Sequence, residues 1–266
     1  MTTSKILMSL ALAIGVTSSA NADVTVNTTT LGKASFINVG GDGVTQIKGT
    51  RQRSDNLMGG KTQSLIIDID GRRFVDLDAK KKTATVTPLD SIADELQKVG
   101  VGTMNATLTK TAQTKQVAGF PCTVHDIKLS LPFSPTGQTG QGMDLTMVLS
   151  GTVCLSTSAP GLVDYQKFYK AAADSGFIFG DPRSAKSPTG AAQAKAYAEL
   201  TRKMAEAGMA LETHVTIDAS GDNPMAGLLA KAARSDITTT VTKIVAGDVP
   251  ADAFEIPAGY KVKTQK

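Results

Sequence analysis

Short runs of alternating apolar and polar residues, broken by turns, fill most of this chain, and two longer stretches with a period near 3.6 residues interrupt them. Val24, Val26 and Thr28 alternate, and Val44 and Ile47 open a second extended run. Leu65-Ile66-Ile67-Asp68-Ile69 leads into Asp70-Gly71, a dipeptide favoured in tight hairpins. Residues 74–77 form the predicted return strand and 83–87 a further one, which Pro88 ends. Leu89, Ile92, Ala93, Leu96 and Val99 then share one face of a predicted short helix. Strands are predicted again over 102–111, 122–131 and 143–155, with 136–142 as a polar, glycine-rich connection.

Leu162, Tyr165, Phe168, Tyr169 and Ala172 recur at helical spacing, and residues 180–188 form a predicted loop. A longer helix is predicted over 191–211: Tyr197, Leu200, Met204, Ala207, Gly208 and Leu211 make one stripe, while Lys195, Glu199, Arg202, Lys203 and Glu206 lie mostly elsewhere. Thr213, Val215 and Ile217 alternate in a strand, Asn223-Pro224 supplies the cap and first-turn proline of a short helix, and 237–245 is a last strand. No repeat or linker divides the pattern. The expectation is one α+β domain over residues 23–266, mostly antiparallel sheet with three or four helices and a helical insertion at about 161–211.

The first 22 residues change the picture of where this domain works. Lys5 precedes an almost unbroken apolar run over residues 6–16, and Ala20-Asn21-Ala22 fits the small-x-small rule for signal peptidase, so Asp23 is the expected mature start. The run is shorter than the roughly 20 residues a membrane-spanning helix needs, and no later segment approaches that length. A transmembrane segment is therefore not expected, and export to the periplasm of a Gram-negative bacterium is. In that oxidising compartment Cys122 and Cys154, the two cysteines of the chain, are expected to pair. The formal charge of +4 is small and evenly spread, which argues against a nucleic-acid surface. With 5% aromatics and no tryptophan, flat platforms for sugars or bases are not expected either.

Several residue groups invite a chemical reading. Cys122, His125, Cys154 and His214 are the right types for zinc, but Cys122 and His125 sit three apart in a predicted strand and so point to opposite faces. No metal and no cofactor are expected. His125 and His214 are the available histidine bases; no Gly-x-Ser-x-Gly elbow is present, and Glu212, His214 and Thr216 sharing a strand face reads as a solvated surface. Asp68, Asp70, Asp76 and Asp78 lack the glycine and terminal glutamate of a calcium loop, and pairing with Arg72, Arg73 and Lys80 to Lys82 is expected instead. Gly40-Gly41-Asp42-Gly43 and Gly59-Gly60, with no helix following, are predicted turns.

The hairpin Asp70-Gly71-Arg72-Arg73-Phe74-Val75, with Leu77-Asp78 and Lys80-Lys81-Lys82-Thr83, resembles that of periplasmic lipoprotein carriers of the Lol type (LolA-like half-barrels). Gly49-Thr50-Arg51-Gln52-Arg53 precedes it as a basic strand does there. The ending from Val249 to Tyr260 and the run from Val117 to Val124 are similar to segments of uncharacterised secreted proteins sharing that fold. The chain differs from those carriers in having no tryptophan and in carrying two helices between Gly161 and Leu211. The resemblance implies a strongly curved antiparallel sheet, a half-open β-barrel, with helices covering its concave face. It also implies a non-enzymatic envelope protein that binds a lipid or acyl chain there. Phe74, Phe168, Tyr169, Tyr197, Leu200 and Met204 are the candidate lining residues. An envelope interaction module whose core is filled by its own side chains, with a protein partner, is the alternative, and a hydrolase built on His125 or His214 a third.

Overall fold

Twelve strands among the described residues join into one sheet that curves strongly and does not close, a half-open barrel with helices on its concave face. The computed structural model describes residues 23–34, 37–58, 60–90, 105–133, 145–175, 188–220 and 234–265. The strands are β1 (Val24–Ala34), β2 (Ile37–Lys48), β3 (Arg51–Met58), β4 (Lys61–Asp68), β5 (Arg73–Asp78), β6 (Thr83–Pro88), β7 (Asn105–Val117), β8 (Phe120–Phe133), β9 (Leu145–Ser156), β10 (Met209–Ser220), β11 (Ser235–Ala246) and β12 (Lys261–Thr264). Helices α1 (Leu162–Asp174) and α2 (Pro188–Ala207) lie between β9 and β10. The order across the sheet is β12-β6-β5-β4-β3-β2-β1-β11-β10-β9-β8-β7. Every neighbouring pair is antiparallel except β12 on β6.

Register explains the concave face. Val24, Ile47, Gln52, Ile67, Phe74 and Thr87 stand opposite one another in turn across β1 to β6, and all six are buried. The strand period of two puts this row and its i+2 neighbours on one side, where they meet α1. Phe168 and Ala172 of α1 join Val24, Val26, Ile47, Phe74, Leu211 and Val241 in one apolar cluster. Ala196 and Leu200 of α2 join Ile127, Leu129, Leu131, Leu149 and Val153 in a second. On the opposite face Ile66, Val75, Leu77 and Ala84 are covered by Val249 and Phe254 of the C-terminal segment, and the Arg51 guanidinium lies 5.0 Å from the Phe254 ring centre. This is why the second half of β4, Leu65-Ile66-Ile67, is continuously apolar: it packs on both faces.

Charged and polar groups hold the ends. Lys48 Nζ donates to Asp23 Oδ2 and Asp248 Oδ1, both at 2.6 Å, and to the Val249 carbonyl at 2.9 Å, tying the start of β1 to the segment after β11. The Asp23 bond, more than any other contact, raises the lysine's pKa, and Lys48 in turn lowers that of Asp248. The hairpins β4–β5 and β5–β6 use the same device. Asp68 accepts the Gly71 amide at 2.8 Å and Asp78 the Lys81 amide at 2.9 Å, and Arg72 and Lys82 each close the loop at φ +49°. The expected charge pairing is present as Asp68–Arg73 at 3.2 Å and Asp78–Lys81 at 3.0 Å.

Four predicted features differ. Gly40, Gly41 and Gly43 are not a turn but lie inside β2; a Cβ on Gly43 would come within 2.7 Å of the Asn56 and Thr28 side chains, so glycine there permits close strand packing. The second helix ends at Ala207, not 211, because Gly208 passes so close to Ser156 that a Cβ would lie 2.7 Å from its carbonyl oxygen. β7 continues past 111 to Val117 and turns through Ala118-Gly119, both at positive φ, into β8. The parallel edge strand β12 was not expected. The residues 1–22, most of the helix predicted from Leu89, the 136–142 connection, nearly all of the 180–188 loop and the helix at Asn223 lie outside the described residues. Cys122 and Cys154 form the expected disulfide, linking β8 to β9 with Cα atoms 5.3 Å apart.

Candidate functional site

Helix α1 stands over the middle of the concave face, and between them lies a cavity of about 140 Å³. Gly161 starts the helix in a left-handed conformation, φ +74°, and a Cβ there would lie 2.5 Å from that of Val24, so the helix enters in direct contact with β1. Its 3.6-residue period then turns Phe168 and Ala172 fully inward and Tyr165 and Tyr169 toward the cavity. The two tyrosine rings are 4.4 Å apart and tilted by 47°, and Phe168 meets Tyr169 edge-on at 5.2 Å.

The floor comes from four adjacent strands: Val26 and Thr28 of β1, Thr45 and Ile47 of β2, Thr239 and Val241 of β11, and residues 210–213 of β10. Two irregularities bend the sheet beneath it. β10 carries one extra residue, Leu211, against β9, and β11 carries one, Thr242, against β1. The wall is aliphatic and threonine-rich, with one carboxylate, Glu212, which is paired with Lys115. Two of its threonines bond to hydroxyls outside the cavity: Thr45 lies 3.2 Å from Ser54, which also receives the Gln52 amide at 2.7 Å, and Thr239 lies 3.0 Å from Thr30. Burial pushes the Tyr165 phenol up to about 12, a rise opposed by the Ala210 amide, which donates to its oxygen at 3.5 Å. Burial also holds Tyr169 well above its ordinary value, with Tyr165 adding to the effect, and raises Tyr197. These phenols are neutral at physiological pH, so the cavity presents no charge from them.

The six residues singled out from sequence are divided by the fold. Tyr169 lines the cavity; Phe168 and Phe74 sit in the same apolar cluster as its walls. Tyr197, Leu200 and Met204 belong to the second cluster, where α2 packs on β8 and β9. Sequence reasoning missed Thr28, Thr45, Thr239 and Val241, which come from strands far apart in the chain and carry no local signal beyond alternation. His125 Nδ1 is 2.9 Å from the Thr123 carbonyl, and His214 Nε2 is 3.1 Å from Asp236 across β10–β11. Glu212 and Thr216, placed with His214 from sequence, bond instead to Lys115 and to Ser150. Among the described residues, no three His, Cys, Asp or Glu side chains converge as metal ligands would, and no helix is long and apolar enough to cross a membrane.

No family model and no curated protein matches the chain. Among solved structures it is similar to that of a candidate outer membrane lipoprotein-sorting protein domain from Vibrio parahaemolyticus, at 6% identity and a TM-score of 0.29, over 89% of this chain and 90% of that one. At that score the functional reading rests on the cavity and its surroundings, not on the likeness.

Proposed function

We propose that the chain is a non-enzymatic protein of the bacterial cell envelope that holds a single apolar chain, such as a lipid acyl chain or a fatty acid, between α1 and the concave sheet. The observation that carries this reading is the cavity left between α1 and the concave sheet, lined by Tyr165, Tyr169, aliphatic side chains and threonines, whose one carboxylate, Glu212, is held in an ion pair with Lys115. Its volume is below the roughly 300 Å³ at which small-molecule sites begin, so a long chain enters only as α1 lifts from the sheet. Each methylene then buried contributes on the order of 0.8 kcal/mol.

A second reading has its own support. Phe168, fully buried, and Phe74 already fill much of the concavity, as they would in an envelope interaction module with a closed core. Native mass spectrometry of the protein from periplasm, followed by organic extraction, separates the two. A stoichiometric lipid or fatty acid, lost in a Tyr169→Ala variant that still folds, is the expected result. An unliganded mass with no uptake of added fatty acid or phospholipid would favour the closed module.

A further inference from the structure

One corner of the sheet carries charge that its neighbours do not neutralise. Lys61 opens β4, Lys80, Lys81 and Lys82 form the β5–β6 turn, and Lys261 opens β12, whose amide donates to the Lys82 carbonyl at 2.8 Å. The registers Ser64↔Leu77 and Lys261↔Thr83 bring all five to the same end of neighbouring strands, and all five are exposed. Lys61, Lys80 and Lys81 line an open groove of about 660 Å³ between the two turns, together with Asp76 and Asp78. Asp78 is engaged by Lys81, whose amide and ammonium hold its carboxyl below the usual range. Among the described residues Lys61, Lys80, Lys82 and Lys261 make no ion pair. At the opposite ends of β4, β5 and β6 the charges are matched, Arg73 with Asp68 and Glu255 and Arg72 with Asp90.

We propose that this basic corner docks the protein on an anionic phospholipid surface, with lipid phosphates facing the groove between the β4 and β5–β6 turns. Five lysines against two aspartates leave an excess positive charge where loops, not core, meet solvent. Lysines held near a membrane surface act additively on anionic headgroups. Val262, an exposed apolar side chain next to Lys261, offers a short apolar contact at the same edge. The inference is independent of whether the cavity under α1 holds a ligand.

The test is co-sedimentation of the full mature protein with vesicles of phosphatidylcholine alone and of phosphatidylcholine mixed in equal parts with phosphatidylglycerol. Binding is expected on the mixed vesicles only, and to fall steeply as salt is raised past physiological strength. Lys61→Gln with Lys80→Gln should lower the partition coefficient about 25-fold, some fivefold per lysine. A control pair on the exposed face of α1, Lys167→Gln with Lys170→Gln, should change it less than about twofold, although it removes the same net charge. Equal losses in the two pairs would reduce the effect to overall charge and overturn the docking site. Absence of binding to the mixed vesicles, with or without capture of an acidic protein, would overturn it as well. Circular dichroism of each variant separates lost docking from lost folding.

Discussion

Lys115 of β7 forms an ion pair with Glu212 of β10, although β8 and β9 lie between them. In a flat sheet three strand spacings amount to about 14 Å, more than the two side chains can bridge. Lys115 stands opposite Cys122 and Glu212 opposite Cys154, so the ion pair spans the four strands whose inner two the disulfide joins. The contact is thus a direct measure of how tightly this end of the sheet curls.

The two clasps should differ in worth. Lys115→Gln removes a partly exposed pair and is expected to cost less than about 1 kcal/mol. Replacing Cys122 and Cys154 by serine together should cost roughly 3 to 4 kcal/mol, since the closed loop no longer restricts the unfolded chain. Urea unfolding of the two variants, with and without reductant on the parent, reads both numbers.

Phe168 is the largest fully buried side chain of α1. Phe168→Ala should destabilise by about 3 to 5 kcal/mol, the sum of lost transfer energy and the remaining cavity. Phe168→Leu should recover most of that loss in thermal melts.

Gly161 sets the angle at which α1 meets β1. Gly161→Ala places a methyl against the Val24 side chain at a left-handed backbone position, and roughly 1 to 3 kcal/mol of destabilisation is expected. Pairing it with Val24→Ala should restore the part due to the clash and leave the part due to the backbone, which a double-mutant cycle resolves.

Alkaline pH should weaken the fold through Tyr165. Its phenol keeps its proton up to about 12 when folded, whereas an unfolded tyrosine releases it near 10. The folded state therefore binds more protons between those values, and its stability, complete below about pH 10, declines as pH rises and levels off above about 12. The loss attributable to this group is about 2 to 3 kcal/mol. Unfolding midpoints measured from pH 9 to 12.5 in the parent and in Tyr165→Phe should diverge in that window and coincide below it.

Local patterns made much of this fold legible. Alternation located most strands, the recurrence of Leu162, Tyr165, Phe168, Tyr169 and Ala172 located α1, and Asp70-Gly71 located a hairpin, although the left-handed residue of that loop is Arg72. Misplaced features trace to tertiary contacts. The glycines of β2 resemble a turn until Asn56 and Thr28 are seen crowding them, and the apolar stripe of α2 runs on into Leu211 although Gly208 has already been drawn against Ser156. Ala118 in a tight turn has no propensity to announce it. The candidate site was legible only on its helical side, since its floor is assembled by register among four strands whose threonines look like ordinary surface.

The place of β1 in the middle of the sheet governs the order in which the molecule can assemble. Val24 pairs with Ile47 on one side and with Ala246 on the other, so one edge of β1 is satisfied early by a hairpin while the other waits for nearly the whole chain. Until β11 arrives, that edge and the edge of β10 are open templates for pairing with other molecules. Such long-range closure is slow and exposes the intermediate to aggregation. Refolding yield should accordingly fall with protein concentration, and the last step to complete should be the joining of two preformed halves along the β1–β11 seam.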